Sequence, residues 1–188
     1  MARIKLQSDD SVVILVDLQT RFLAAIHESG RVRERALFIA QVAKVLGVPV
    51  LATEQVPDRM GGLEESFVET LSWPPFAKSS FSCLGSREFA DVLAGSGRRQ
   101  VILVGIETHI CVSQTAHDLL DLGLSVVVCP DAVSSRSLDR HKLGMERLRD
   151  ADVIPIHAEA VAYEWMKSAE HPKFREVLGL VKELGVGS

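Results

Sequence analysis

Five stretches of the chain are continuously apolar instead of alternating: VVILV (12–16), VPVLAT (48–53), VILVG (101–105), LSVVVC (124–129) and VIPI (153–156). Short, β-branched and without a polar face, they read as strands of a parallel sheet covered on both sides. The intervening segments carry a helical period. Between Arg31 and Leu46 apolar residues recur at Val32, Leu37, Ile39, Ala40, Val42, Ala43 and Leu46, and Gly47 supplies the stop. From Cys111 to Leu122 the repeat is Val112, Ala116, Leu119 and Leu120, closed by Gly123. Ser137 is the expected N-cap of a helix over 138–150, with Leu143 and Leu148 predicted to face inward. FAKSS (76–80) is a sixth, weaker strand candidate.

Strands alternating with helices predict an α/β protein, a three-layer α/β/α sandwich with right-handed crossovers around a mostly parallel, Rossmann-like sheet of about six strands. Without an internal repeat, a low-complexity tract or a composition break, residues 1–188 read as one domain. Segment 54–75 interrupts the rhythm with Pro, two Gly and a cluster of acids. Its length fits either a cover over a site or plain surface packing.

Composition narrows the function classes. A 47% hydrophobic share and 24% charged residues describe an ordinary globular chain, long enough at 188 residues for one core and short for two. The net charge of −4, the absence of a basic run longer than Arg98-Arg99 and few aromatics argue against a nucleic-acid partner. No apolar run reaches the length of a membrane span, so no membrane partner is expected. The first apolar run is short and ends in Asp17, unlike a signal peptide. Three cysteines, Cys83, Cys111 and Cys129, are an odd number in a chain with a sizeable core; a disulfide is not needed, and a cytoplasmic location is expected.

In an open parallel sheet, ligands bind beyond the carboxyl ends of the strands. Asp17 directly follows the first strand, Lys78 lies in FAKSS, and Cys111 follows VILVG after IETHI. Each has an ordinary reading: Asp17 as a turn former or cap, Lys78 as a solvated charge, Cys111 as core. Together they are what a thiol nucleophile needs. A thiol beside a helix N-terminus and an ammonium is expected to have a lowered pKa, and a carboxylate in reach can take its proton.

DLQTRF (17–22), the lysine of FAKSSFS (76–82) and GIETHICVSQTAHDLLDLG (105–123) resemble the three motifs of the isochorismatase-like cysteine hydrolases. The resemblance runs over about residues 8–182, and DAVSSRS (131–137) and AEHPKF (169–174) look closest to the isochorismatase domain-containing proteins. It implies Asp17 as general base, Cys111 as nucleophile and Lys78 as their electrostatic partner, acting on a small amide through a thioester. It also implies an oxyanion hole from the backbone amides of Glu107 and Cys111, a cis peptide at Ile106–Glu107, and Gly105 providing backbone room beside it. Gln19, Phe22, Phe81 and Thr108 are candidate substrate contacts, each with ordinary packing as the alternative. The family is usually oligomeric, which implies a dimer or larger.

Two departures shape the expectation. Metal-dependent nicotinamidases of the family carry an Asp-x-His pattern after the second strand, where this chain has TEQVPD (53–58). None of its histidines are paired at i, i+4, so neither a metal nor another cofactor is expected. A cysteine nucleophile also points away from isochorismate, whose vinyl ether does not need one. His109 reads as a surface residue at a helix start, and Cys83 and Cys129 as structural. Phe174, Val177, Leu178, Val181 and Leu184 form one helical face that either pads the core or, with Tyr163, Trp165 and Met166, meets another subunit. The leading reading is a metal-free cysteine hydrolase of a small-molecule amide. A non-catalytic binding module and a thiol redox sensor are the competitors.

Overall fold

A computed structural model describes residues 4–184. Six parallel strands form one sheet: β1 (Ser11–Val16), β2 (Val50–Gln55), β3 (Phe76–Lys78), β4 (Gln100–Ile106), β5 (Ser125–Ser134) and β6 (Ile154–Pro155). Their order across the sheet is β3-β2-β1-β4-β5-β6. The chain reverses its direction of growth between β1 and β4, which is where such sheets open a crevice. The helices are α1 (Thr20–Leu23), α2 (Ser29–Leu46), α3 (Pro57–Met60), α4 (Glu65–Val68), α5 (Arg87–Gly95), α6 (Ser113–Asp121), α7 (Leu138–Asp150), α8 (Ala158–Met166) and α9 (Phe174–Leu184). A 3-10 turn (Cys83–Gly85) precedes α5, and a π turn (Thr108–Val112) leads from β4 to α6.

Every residue of β1 and β4 is buried, because each strand is covered on both faces. Val13, Leu15, Ile102 and Val104 face one apolar layer with α2, α8 and α9; Val12, Ile14, Val101 and Leu103 face the other with α5, α6 and α7. That two-sided burial is why the strands are uninterrupted apolar runs.

The structure revises three expectations. β5 continues through Pro130 and Asp131 to Ser134, so Cys129 lies within the strand and not at its end. The extension requires a register break: Leu103 pairs with Val128, but Gly105 pairs with Val133. Leu148 is buried as expected, but Leu143 points to solvent at 65% exposure, and Gly144 and Met145 complete the buried face of α7. Trp165 and Met166 are core residues, and Val177 and Leu184 are buried with them, which favours the padding role of that helical face. Tyr163 is exposed.

Candidate active site

The sheet register assembles the site. Val16 lies opposite Gly105 on one side and Thr53 on the other, Thr53 lies opposite Phe76, and Gln55 lies opposite Lys78. One residue beyond Val16, Asp17 adopts a left-handed conformation with φ of 52°. Aspartate tolerates this better than most residues, and the step turns its carboxylate sideways across the strand ends. Gly105 is demanded by its own surroundings. Its φ is 116°, and a Cβ there would sit 2.2 Å from the Val16 carbonyl oxygen. The peptide Ile106–Glu107 is cis.

Asp17, Lys78 and Cys111 come together as the sequence suggested. Lys78 Nζ lies 2.7 Å from Asp17 Oδ2, with both side chains almost completely enclosed. Thr53 donates its hydroxyl to Asp17 Oδ1 at 2.9 Å, and Cys111 lies near enough to the same carboxylate for the two groups to affect each other's ionisation. Lys78 Nζ also donates to Gln55 Oε1 at 2.6 Å and to the carbonyls of Ser80 and Phe81, each at 3.2 Å. A nitrogen facing only acceptors is matched to an ammonium.

The protonation balance differs from the expectation of a thiol with lowered pKa. Burial and the charge of Asp17 push Cys111 far above the ordinary thiol range, and the opposing pull of Lys78 is smaller. Burial also raises Asp17, against Lys78, Thr53 and Cys111, all of which favour its ionised form. The resting pair is therefore a thiol beside a carboxylate of raised basicity, not a preformed thiolate. Cys111 sits inside the π turn, where the Glu107 carbonyl accepts from the amides of Ile110 and Val112 on either side of it, at 3.0 and 3.2 Å.

The other sequence candidates have varied placements. Gln19 is fully buried, and its amide is occupied: Oε1 accepts from the Gln55 amide at 2.7 Å, while Nε2 donates to the Gln55 and Gly61 carbonyls. Thr108 is also buried, with its hydroxyl 3.0 Å from His141 Nδ1. Phe22 packs half-buried on the core, whereas Phe81 is 54% exposed. His109 Nδ1 meets Ser135 Oγ at 2.9 Å, and its pKa is lowered, mainly by burial. The Glu107 carboxylate accepts from the Arg136 amide and guanidinium, fastening the π turn to the segment before α7.

Segment 54–75 is folded against the residues that follow β1. Glu54 accepts from the Leu63 amide at 2.6 Å, Gln19 bridges to Leu63, and the Glu64 amide donates to the Leu18 carbonyl. Of the TEQVPD positions, Glu54 thus holds backbone, while Thr53 and Gln55 meet the Asp17 and Lys78 side chains. Among the described residues no group of three His, Cys, Asp or Glu side chains is placed to hold a metal ion, and no helix is long and apolar enough to cross a membrane.

Thr53, Gln55 and Gly144 support the site without having been singled out in the sequence, and Cys83, read as structural, is hydrogen-bonded to Thr53. Cys83 is fully buried, its sulfur 3.4 Å from Thr53 Oγ1 and its amide bonded to Thr115 Oγ1. Gly144 lets α7 press on the π turn; a Cβ there would lie 2.9 Å from both the N and Cα of His109. A glycine in mid-helix was the one available signal.

This arrangement coincides with a match of residues 11–160 to the family model described as the isochorismatase domain. The chain belongs to the isochorismatase family. It is 35% identical over 172 residues to isochorismatase domain-containing protein 1 of Danio rerio, and covers 61% of that protein's length. With isochorismatase domain-containing protein 2 of the same fish it shares 34% identity over 178 residues, 94% of this chain and 89% of the relative. Among solved structures, the MAR1 ribonuclease of Caenorhabditis elegans superposes with a TM-score of 0.90 at 33% identity, covering 95% of this chain and 93% of the other. The octameric hydrolase YcaC of Escherichia coli shares the fold, with a TM-score of 0.86 at 20% identity over 98% of this chain and 99% of the other.

Proposed function

We propose that the protein is a metal-free cysteine hydrolase of a small amide, acting through a thioester on Cys111. The observation that carries this reading is the enclosed cluster in which a carboxylate that receives Lys78 at 2.7 Å and Thr53 at 2.9 Å neighbours Cys111. Asp17 takes the thiol proton as sulfur attacks the amide carbon. The C–N bond then breaks, the same proton passes to the departing amine, and an acyl thioester remains. Asp17, again ionised, removes a proton from water, which attacks the thioester carbonyl; the acid product leaves and the thiol is restored. Lys78 stabilises negative charge wherever it resides in this cycle, with its donors already saturated. The backbone amides of Glu107 and Cys111 serve as the oxyanion hole, at the turn where β4 ends. The nearly closed approach to Cys111, 8% exposed, suits a small substrate. We place the protein in the cytoplasm as a homo-oligomer, a dimer or larger, with residues 1–188 as one domain.

The test is a screen of small amides for amine release, comparing the wild type with Cys111→Ala and including RNA, the substrate class named for the worm relative. Amine release lost in Cys111→Ala supports the reading. RNA cleavage that survives Cys111→Ala overturns it, and selective peroxide oxidation of Cys111 without turnover of any amide favours the redox sensor.

A further inference from the structure

The carboxylate of Asp17 is held from two sides, and only one of them is the lysine. Oδ2 faces Lys78, whereas Oδ1 accepts from the hydroxyl of Thr53, which is itself fully buried. Thr53 Oγ1 has one proton to give. The Cys83 sulfur lies 3.4 Å away on its other side, where its S–H supplies a weak donor to the hydroxyl lone pair. That leaves the hydroxyl proton for Asp17. The anchoring thiol is fixed in turn by Thr115, which accepts from the Cys83 amide at 3.0 Å. A chain of hydrogen bonds thus runs from α6 through the 3-10 turn and β2 to the carboxylate.

We propose that Thr53 is a positioning residue that sets how Asp17 and Cys111 divide the proton they share, with the Cys83 thiol as its anchor. This rests on the reading of Asp17 as the partner of Cys111. The titratable groups facing Asp17 are Lys78 from β3, Cys111 from the π turn and Cys83 from the 3-10 turn. α1 contributes none, since its Arg21 guanidinium is turned to the Arg59 carbonyl. Thr53 hydrogen-bonds Asp17 and Cys83, and no hydrogen bond joins it to Cys111. It favours the form with the proton on sulfur and the charge on oxygen. Loss of its hydroxyl moves the proton toward Asp17, leaving more thiolate on Cys111.

The signature is specific. Iodoacetamide alkylates the thiolate, forming an S–C bond as iodide leaves, so its rate at Cys111 follows the population with the proton on Asp17. That rate climbs with pH until Asp17 ionises, then holds a plateau. Removing a hydrogen bond to a charged group shifts the Asp17 inflection up by about one pH unit and raises the plateau by the same factor, about tenfold. Below the inflection the rate stays unchanged, because the doubly protonated pair does not depend on Thr53.

The experiment measures the pH profile of Cys111 alkylation by peptide mass spectrometry in the wild type, Thr53→Val, Thr53→Ala and Thr53→Ser, with circular dichroism to establish folding. The expected result is a shifted inflection and a raised plateau in Thr53→Val, with rates superimposed at acid pH and the wild-type profile restored in Thr53→Ser. Thr53→Ala makes the same prediction with a smaller side chain, and decides the matter if Thr53→Val does not fold. An unshifted profile in a folded Val or Ala variant overturns the proposal, as does a rate raised equally at every pH, which marks a loosened fold. Asp17→Asn separates the two levels. If it leaves the Cys111 profile unchanged, the pairing of Asp17 with Cys111 is wrong; if it abolishes the first inflection while Thr53→Val does nothing, only the role of Thr53 fails.

Discussion

Replacing Lys78 by Met removes the cation from an ion pair almost entirely withdrawn from solvent, since the side chains of Lys78 and Asp17 are 0% and 3% exposed. At a separation of 2.7 Å and an effective dielectric constant of about 20, the gross attraction between the two charges is about 6 kcal/mol. Methionine restores much of the lost volume, and Thr53 still donates to Asp17. The expected destabilisation is therefore about 3–5 kcal/mol, the usual cost of removing one partner of a buried pair. The sign with pH follows from the carboxyl. Lys78 lowers the Asp17 pKa against the upward push of burial, so without the lysine Asp17 takes up a proton at higher pH. The penalty is thus full where the variant's Asp17 remains ionised and shrinks on acidification, once that group is protonated. Urea denaturation of wild type, Lys78→Met, Asp17→Asn and the double variant, at mildly acid and mildly alkaline pH, measures both the loss and the coupling. A loss below about 1 kcal/mol at alkaline pH, or additive effects in the double variant, would refute the account of Lys78 as the counter-charge.

Two further outcomes follow from the same geometry. Gly144→Ala would gain about 1 kcal/mol in an unconstrained helix. Here the new Cβ falls 2.9 Å from the His109 backbone, so displacement of α7 or the π turn costs about 1–3 kcal/mol, and the variant is expected to have a lower urea midpoint and altered Cys111 reactivity. Asp17→Asn removes the negative charge that holds the Cys111 thiol protonated while keeping Lys78, so alkylation of Cys111 at neutral pH is expected to accelerate even as amide hydrolysis is lost.

The central strands were legible because burial on both faces writes itself into the sequence as continuous apolar runs, whereas the short edge strand β3, with Ala77 exposed, gave a weaker one. The full length of β5 was not: Pro130 and Asp131 read as a break, and only pairing with β4 across a register shift carries the strand beyond them. Leu143 was misplaced because a helix with few large apolar residues fixes its phase poorly, and the deciding contact, Gly144 against His109, is tertiary. Asp17, Lys78 and Cys111 could be found as reactive types at strand ends. Thr53, Gln55 and Cys83 could not, since their importance lies in the sheet register and in a turn folded beneath it. The charge state of Cys111 was read in the wrong direction for a related reason. A nearby helix start and a lysine are visible in a sequence, but the depth of burial that outweighs them is not.

The central claim is that Cys111 carries an acyl group, and the most direct test does not require the natural substrate. The protein is mixed with p-nitrophenyl acetate, quenched in acid within seconds and mapped by peptide mass spectrometry, with Cys111→Ala alongside. The account predicts a burst of p-nitrophenol in the wild type and one acetyl group on Cys111 that disappears as the thioester hydrolyses, with neither in the variant. Acetyl groups on Cys83 or on lysines, with Cys111 unmodified, would contradict it.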